Sequence, residues 1–177
     1  QSNDINKITL VESISDVEKL DFRTSTDISY TTQTTLSVDD TKEIVESLQS
    51  KFPQIQSPKK SDICYATQNR QDSVKAIIND SDMLLVLGSK NSSNSNRLRE
   101  IAEKNKKPAY LIDGANDIDP AWLKGVDSIG ITAGASAPEI LVQEVVSYLL
   151  DNGANEVVEV SGATESVHFP VPNTLRV

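Results

Sequence analysis

The stretch "MLLVLGSKNSSNSNRLRE" (residues 83–100) joins an uninterrupted apolar run to a polar segment that opens a helical pattern. A short apolar run that ends at a glycine is typical of a strand buried on both faces of a parallel sheet. Serine and asparagine at the start of a helix cap its free backbone N–H groups. A cap needs one such residue, whereas "NSSNSN" (91–96) supplies six in succession. The junction therefore indicates either a helix cap or a binding site for an anion.

Short apolar runs alternate with helical patterns along the chain. Beyond residue 60 the patterns predict strands at 83–88, 108–113 and 128–134, and helices at 66–80, 96–107 and 136–153. The last helix is predicted to begin with a capping box of Ser136 and Glu139 and to stop at Gly153. Strands that alternate with helices predict the α/β fold class, with a parallel sheet covered by helices.

Residues 1–60 show the same alternation with fewer elements. The patterns predict strands at 7–13 and 27–35, a helix at 15–20 capped by Ser15 and Glu18, and a helix at 36–52 capped by Ser37. The Pro-, Ser- and Lys-rich stretch 53–62 is the best internal boundary. We therefore predict three parts: residues 1–60, a complete α/β unit at 61–153, and a tail at 154–177 that alternates like a hairpin at 155–172.

The composition is that of an ordinary globular chain. Of its 177 residues, 37% are hydrophobic and 24% are charged, which is enough apolar material to build a core. The formal net charge of −9 argues against nonspecific binding to nucleic acid and against adhesion to an anionic membrane. No run approaches the roughly 18 apolar residues of a membrane helix. The single cysteine, Cys64, permits no intrachain disulfide, which favours an intracellular setting.

Three predicted strand-to-helix junctions are rich in small polar residues: "TTQTTLS" (31–37), "GSKNSSNSN" (88–96) and "TAGASAPE" (132–139). In a parallel sheet such junctions meet at one edge, where helix N-termini supply N–H groups and partial positive charge. The sequence lacks the glycine spacing of a P-loop or a dinucleotide-binding fingerprint. From the residues alone we predict a phosphate-bearing small molecule of unspecified type, with simple helix caps as the alternative.

Cys64 immediately precedes a predicted helix. A buried small hydrophobe is the ordinary role of a free cysteine. A helix N-terminus nevertheless favours the thiolate, the form that binds metals. One cysteine cannot hold a metal cluster by itself, so a metal-binding role requires ligands from elsewhere. The tail histidine, His168, has no predicted partner.

Four stretches carry a family resemblance: "TQTTLSVDDT" (32–41), "DICYATQNRQ" (62–71), "GSKNSSNSNRL" (88–98) and "TAGASAPEILVQEV" (132–145). In this order and spacing they resemble the LytB-type iron–sulfur reductases, the 4-hydroxy-3-methylbut-2-enyl diphosphate reductase family of isoprenoid biosynthesis. The resemblance implies a trefoil of three α/β lobes around a central cavity. It also implies a [4Fe-4S] cluster held by one cysteine from each lobe, and ferredoxin or flavodoxin as the electron donor.

The resemblance extends to the C-terminal part of such an enzyme. Residues 1–60 match the end of the middle lobe, residues 61–153 match the third lobe, and residues 154–177 match the tail; the first lobe and the start of the second have no match. We therefore expect an oxidoreductase parent in the bacterial cytoplasm or in a plastid-type organelle, and a chain that is inactive alone. A non-catalytic phosphate-ligand or protein-binding module derived from that enzyme is the alternative.

The resemblance also implies roles for individual residues. Cys64 corresponds to the cluster ligand of the third lobe, and Thr34 to the residue near the allylic hydroxyl of the substrate. The groups that hold the substrate diphosphate correspond to Ser92, Ser93, Asn94 and Ser136. The family's other two cysteines, its histidines and its proton-donating glutamate have no match, so we assign no catalytic residue to this chain.

Overall fold

The computed structural model describes residues 8–22, 27–59, 62–160 and 162. Its helices are α1 (Ile14–Lys19), α2 (Val38–Lys51), α3 (Tyr65–Ile78), α4 (Ser93–Lys104) and α5 (Glu139–Asp151). Its strands are β1 (Met83–Leu87), β2 (Ala109–Ile112) and β3 (Ile129–Ala133), and a 3-10 turn covers Ala115–Asp117. Across these described ranges, every helix is too short or too polar to span a bilayer.

The three strands form one parallel sheet in the order β2-β1-β3. Leu84 of the central strand lies opposite Ala109 on one side and Gly130 on the other. All five residues of β1 are buried, because helices cover both faces of the sheet. The predicted α/β fold with a parallel sheet is confirmed, and so are the three strands beyond residue 60.

The sheet separates two apolar clusters, and alternate residues of β1 belong to each. On one face the cluster contains Val74, Ile78, Leu84, Val86, Leu98, Ile101 and Ala102, from α3, β1 and α4. On the other face it contains Met83, Leu85, Leu87, Ile112, Ile118, Val145 and Leu149, including residues of α5. This two-sided burial explains the unbroken apolar run in the sequence.

Two predicted caps are wrong. Helix α1 starts earlier than predicted: Ser13, not Ser15, accepts the backbone N–H of Asp16, and the Asp16 carboxylate accepts the N–H of Glu12. Helix α5 follows Pro138 and has no side-chain cap, so Ser136 and Glu139 do not form a capping box. Proline already fixes a φ suited to this position, which leaves Ser136 free for other contacts.

The described residues between 8 and 59 contain less strand than the sequence predicted. The described part of the predicted strand at 7–13 is not a strand, and Ile8 and Leu10 are exposed. Within the predicted strand at 27–35, Ser29 makes one isolated parallel bridge with Gln56. The local pattern suits a strand there, but a ladder needs a partner segment along its whole length.

The predicted tail hairpin is wrong for residues 155–160 and 162, which form no strand. The rest of that prediction, with His168, lies outside the described residues. Gly153 ends α5 with a φ of +112°, as predicted for a helix stop. Ser37 is confirmed as the N-cap of α2, where it accepts the N–H of Asp40.

Asp82, at the start of β1, provides a first prediction about stability. Its carboxylate accepts the backbone N–H groups of Ser128 and Asp127, at 3.0 Å each, and these bonds lower the pKa of Asp82. A lowered folded-state pKa contributes stability above the unfolded pKa, and this contribution is lost as pH falls through the folded value. We expect Asp82→Ala to lower the melting temperature at neutral pH. This decrease should become progressively smaller as the pH falls.

Thermal unfolding from pH 7 down to pH 2 measures this effect. Asp80→Ala, at an exposed aspartate two residues earlier, is the matched control. A difference in melting temperature between Asp82→Ala and the unsubstituted chain that stays constant at every pH would contradict the role of the carboxylate.

Candidate functional site

The helix starts gather at the carboxyl edge of the sheet. β1 ends at Leu87 and leads into α4, while β3 ends at Ala133 and leads into α5. Residues 79–82 connect the end of α3 to the start of β1, and α3 packs beside α4 on the same face. Helix α3 therefore also runs antiparallel to the strands and begins at this edge. Parallel α/β proteins bind ligands at this edge.

Ser92 is the N-cap of α4. Its hydroxyl oxygen accepts the backbone N–H of Ser95 at 3.3 Å and the Ser95 hydroxyl at 3.1 Å. The side chain of Asn96 donates to the carbonyls of Lys90 and Ser92. Part of the Ser/Asn run therefore caps and braces the helix, as the first alternative predicted.

Capping does not explain Asn94. The residue is only 8% exposed, and both the nitrogen and the oxygen of its side-chain amide are buried without a hydrogen-bond partner among the described residues. A buried polar group that lacks a partner costs about 1–3 kcal/mol. Such a group at a helix N-terminus is suited to a ligand that supplies the missing bond.

Ser95 is a site residue that the sequence interpretation missed. It is 1% exposed, and its hydroxyl lies in a cradle of backbone formed by Gly88 and Gly134. A Cβ atom added to either glycine would overlap the Oγ of Ser95. The start of α4 can therefore approach the ends of β1 and β3 only because each strand is followed by a glycine. Those two glycines were the available signal in the sequence.

A cavity of about 200 Å³ opens at this cradle. Its wall includes Ser89 and Ser95 from one junction, and Ser136 and Pro138 from the junction before α5. Ser136, predicted to be a ligand group, therefore lies at the same cavity as the start of α4. Asp113, which the sequence interpretation did not single out, also lines the wall.

Thr34 and Cys64 lie against each other. The backbone N–H of Cys64 donates to the carbonyl of Thr34 at 3.0 Å. Cys64 is exposed and is the N-cap residue of α3, although its side chain makes no capping bond. The buried-hydrophobe interpretation of Cys64 is therefore wrong, and its thiol is accessible at a helix N-terminus.

The thiol of Cys64 fits one ligand position of an iron–sulfur cluster but not a complete site. Thiolate is the ordinary ligand of such clusters, and Cys64 is free, exposed and at the sheet edge that carries the other predicted site residues. Within the described ranges, no three His, Cys, Asp or Glu side chains are grouped to hold a metal ion. The remaining ligands would have to come from outside these residues.

These features together define a class of protein. A parallel α/β unit with helix starts, small polar side chains and a cavity at the carboxyl edge of its sheet has the architecture of α/β proteins that bind ligands at that edge. A family model described as "LytB protein" matches residues 1–150. The chain belongs to the LytB family.

Curated relatives agree with this assignment. A 4-hydroxy-3-methylbut-2-enyl diphosphate reductase of Ruthia magnifica subsp. Calyptogena magnifica is 65% identical over 176 residues, which is 99% of this chain and 57% of the relative. A reductase of the same name from Pseudomonas aeruginosa is 56% identical over 170 residues, which is 96% of this chain and 54% of the relative. The chain thus spans little more than half the length of these relatives.

A solved structure is similar in fold. The E-1-hydroxy-2-methyl-but-2-enyl-4-diphosphate reductase from Plasmodium falciparum superposes with a TM-score of 0.74 and 39% sequence identity. The match covers 84% of this chain and 50% of that one. The chain therefore has the fold of a part of a LytB-type reductase.

Proposed function

We propose that this chain is the C-terminal portion of an iron–sulfur reductase that acts on 4-hydroxy-3-methylbut-2-enyl diphosphate. The relatives that carry this name support the proposal, since they match the chain over nearly its whole length. The structural observation that carries it is the buried amide of Asn94, whose unpartnered N–H₂ group would donate to an oxygen of a bound diphosphate. The alternative of a non-catalytic binding module is less favoured, because the curated relatives are named as reductases.

Neutral donors suit a diphosphate in this setting. Ser92, Ser93 and Asn94 at the start of α4 and Ser136 before α5 would donate hydrogen bonds to its oxygens. The helix N-termini add partial positive charge where the chain as a whole carries −9. Donors without full charge hold the anion in place and leave its negative charge available near the departing hydroxyl.

The proposed reaction is a reductive dehydroxylation. The allylic C–O bond breaks, the oxygen leaves as water after taking up a proton, and two electrons with a second proton convert the carbon skeleton to isopentenyl or dimethylallyl diphosphate. When bound, a [4Fe-4S] cluster supplies the two electrons and a Lewis-acidic iron. Cys64 would be one of its ligands, and Thr34, beside Cys64, would orient the substrate hydroxyl.

The same proposal assigns each part of the chain to a lobe of the enzyme and implies its electron donor and its cellular compartment. Residues 1–60 belong to the middle lobe, residues 61–153 form the third lobe, and residues 154–177 form the tail of a three-lobed enzyme. Electrons come from a ferredoxin or a flavodoxin. The bacterial cytoplasm is the favoured compartment, and a plastid-type organelle is the second.

The coding sequence upstream of residue 1, together with Cys64→Ser, tests the proposal. We expect that sequence to encode two further cysteines and a segment with histidine and glutamate. Protein produced with it under anaerobic conditions should bind four irons and four sulfides, and Cys64→Ser should lose most of them. Ser92→Ala should keep the iron while weakening substrate binding, and it serves as the control. An upstream sequence without those cysteines, or full iron content in Cys64→Ser, would refute the proposal.

A further inference from the structure

We infer that Asp62 and Gln71 form a clamp that fixes the segment Thr31–Val38 against the start of α3 and so positions Thr34 beside Cys64. The functional meaning of the clamp rests on the proposed function. Its existence rests on contacts between two segments that are far apart in sequence.

Asp62 holds the beginning of the segment. One oxygen of its carboxylate accepts the Thr31 hydroxyl at 3.0 Å and the backbone N–H of Thr32 at 2.9 Å. Hydrogen bonds to an ionised carboxylate are stronger than neutral ones. Two such bonds from adjacent residues fix both the position and the direction of the chain as it approaches Thr34.

Gln71 holds the end of the segment. Its side chain is 1% exposed, its amide nitrogen donates to the carbonyl of Leu36 at 2.9 Å, and its amide oxygen accepts the backbone N–H of Val38 at 3.4 Å. Both ends of a buried amide are thus used on the backbone of another segment. Removing a buried amide of this kind costs more stability than removing an exposed one, because its backbone partners are left buried without a hydrogen bond.

The bond between Cys64 and Thr34 lies between these two anchors. Along Thr31–Val38 the contacts run in the same order as along the start of α3: Asp62 first, then Cys64, then Gln71. The bond at Thr34 joins backbone to backbone, so it constrains both residues without using either side chain. The hydroxyl of Thr34 and the thiol of Cys64 therefore remain available for a ligand while their backbones are locked together.

The clamp is relevant to the proposed reaction because it fixes the relative position of Thr34 and Cys64. Groups that act together on a substrate must be held within about 0.5 Å of a productive geometry. Asp62 and Gln71 act through the backbone of Thr31–Val38, which makes them positioning residues and not catalytic ones. They also hold the segment before α2 to the unit that contains Cys64.

Amide hydrogen exchange on the chain, without cluster or substrate, tests the clamp. In Gln71→Leu we expect the amides of Cys64 and Val38 to exchange about tenfold faster, the change produced by losing one or two hydrogen bonds. Amides of β1 should keep their rates. Gln143→Leu, at an exposed glutamine on α5, is the matched control and should change neither.

Asp62 provides a second pair of variants, which also covers the possibility that Gln71→Leu fails to fold. Asp62→Ala should speed exchange at Thr32 and Cys64 about tenfold, whereas Asp62→Asn should restore protection because its amide oxygen can still accept both bonds. Unchanged exchange at Cys64 in both Gln71→Leu and Asp62→Ala would overturn the clamp. Equal acceleration of the β1 amides would overturn it too, since it would show a general structural role. Neither result depends on the iron content of the upstream-extended protein, so failure of the clamp and failure of the proposed function are distinguishable.

Discussion

Leu84→Ala should lower the free energy of unfolding by about 3 kcal/mol, within the range of about 2–5 kcal/mol found for such truncations in cores. Leu84 is the second residue of the central strand, is fully buried, and packs in the cluster that joins α3, α4 and the sheet. Removing its side chain loses apolar burial and leaves a cavity that the surrounding helices cannot close, because β1 is held by a strand on each side. Urea denaturation followed by circular dichroism measures the loss.

Leu150→Ala is the matched control for this effect. Leu150 is the same residue type on α5, but 43% of it is exposed. Its truncation removes less apolar contact and opens no enclosed cavity, so we expect a loss below about 1 kcal/mol. Equal losses of unfolding free energy in Leu84→Ala and Leu150→Ala would show that the core around β1 does not contribute more to stability than the half-exposed face of α5.

Gly134→Ala should destabilise the chain by about 1–3 kcal/mol, the usual cost of overpacking a tight site. The new Cβ would overlap the Oγ of Ser95, which is buried and bonded to Ser92. Either the Ser95 side chain must rotate, which breaks its bond to Ser92, or the start of α4 must move away from the sheet edge, which displaces the donors of the proposed diphosphate site. We expect both the melting temperature and the affinity for inorganic pyrophosphate to fall.

Ser95→Ala tests the cause of the Gly134 effect. The Cβ of Ser95 lies 3.7 Å from the position that the new methyl group would occupy, an ordinary contact distance, so removing only the Ser95 hydroxyl relieves the clash. The stability lost in Gly134→Ala should therefore largely return in Gly134→Ala/Ser95→Ala. Gly114→Ala, where nothing lies within 4 Å of the new atom, is the control. Absence of any rescue would mean that the cradle does not determine the position of α4.

The centre of the fold was predictable because its signals are local. The apolar run of β1 has only one common explanation, burial on both faces, and the helices beside it carry clear apolar stripes. The strands predicted at 7–13 and 27–35 are wrong because a strand also needs a partner segment, and local sequence does not show whether one is present. The Thr- and Tyr-rich stretch 27–35 suits a strand, but among the described residues it forms a single bridge, between Ser29 and Gln56.

For the candidate site, the sequence indicated polar residues but not the backbone arrangement around them. The excess of Ser and Asn predicted an anion site, and this stays a prediction, supported by the buried amide of Asn94, which has no partner among the described residues. Ser95 was missed because its role depends on Gly88 and Gly134, which follow different strands and meet only in three dimensions. The clamp was missed for the same reason, since Gln71 and Leu36 are joined by tertiary contact alone.

Titration of the isotopically labelled chain with inorganic pyrophosphate is the most direct test of whether the start of α4 is a diphosphate site. We expect saturable chemical-shift changes at the backbone amides of Ser92–Ser95 and at the side-chain amide of Asn94, weak in affinity because the chain spans only part of the relatives' length. Asn94→Leu should abolish these changes, and Asn116→Leu, at an exposed asparagine, should leave them intact. The same saturable shifts in Asn94→Leu, or shifts confined to residues away from this edge of the sheet, would contradict it.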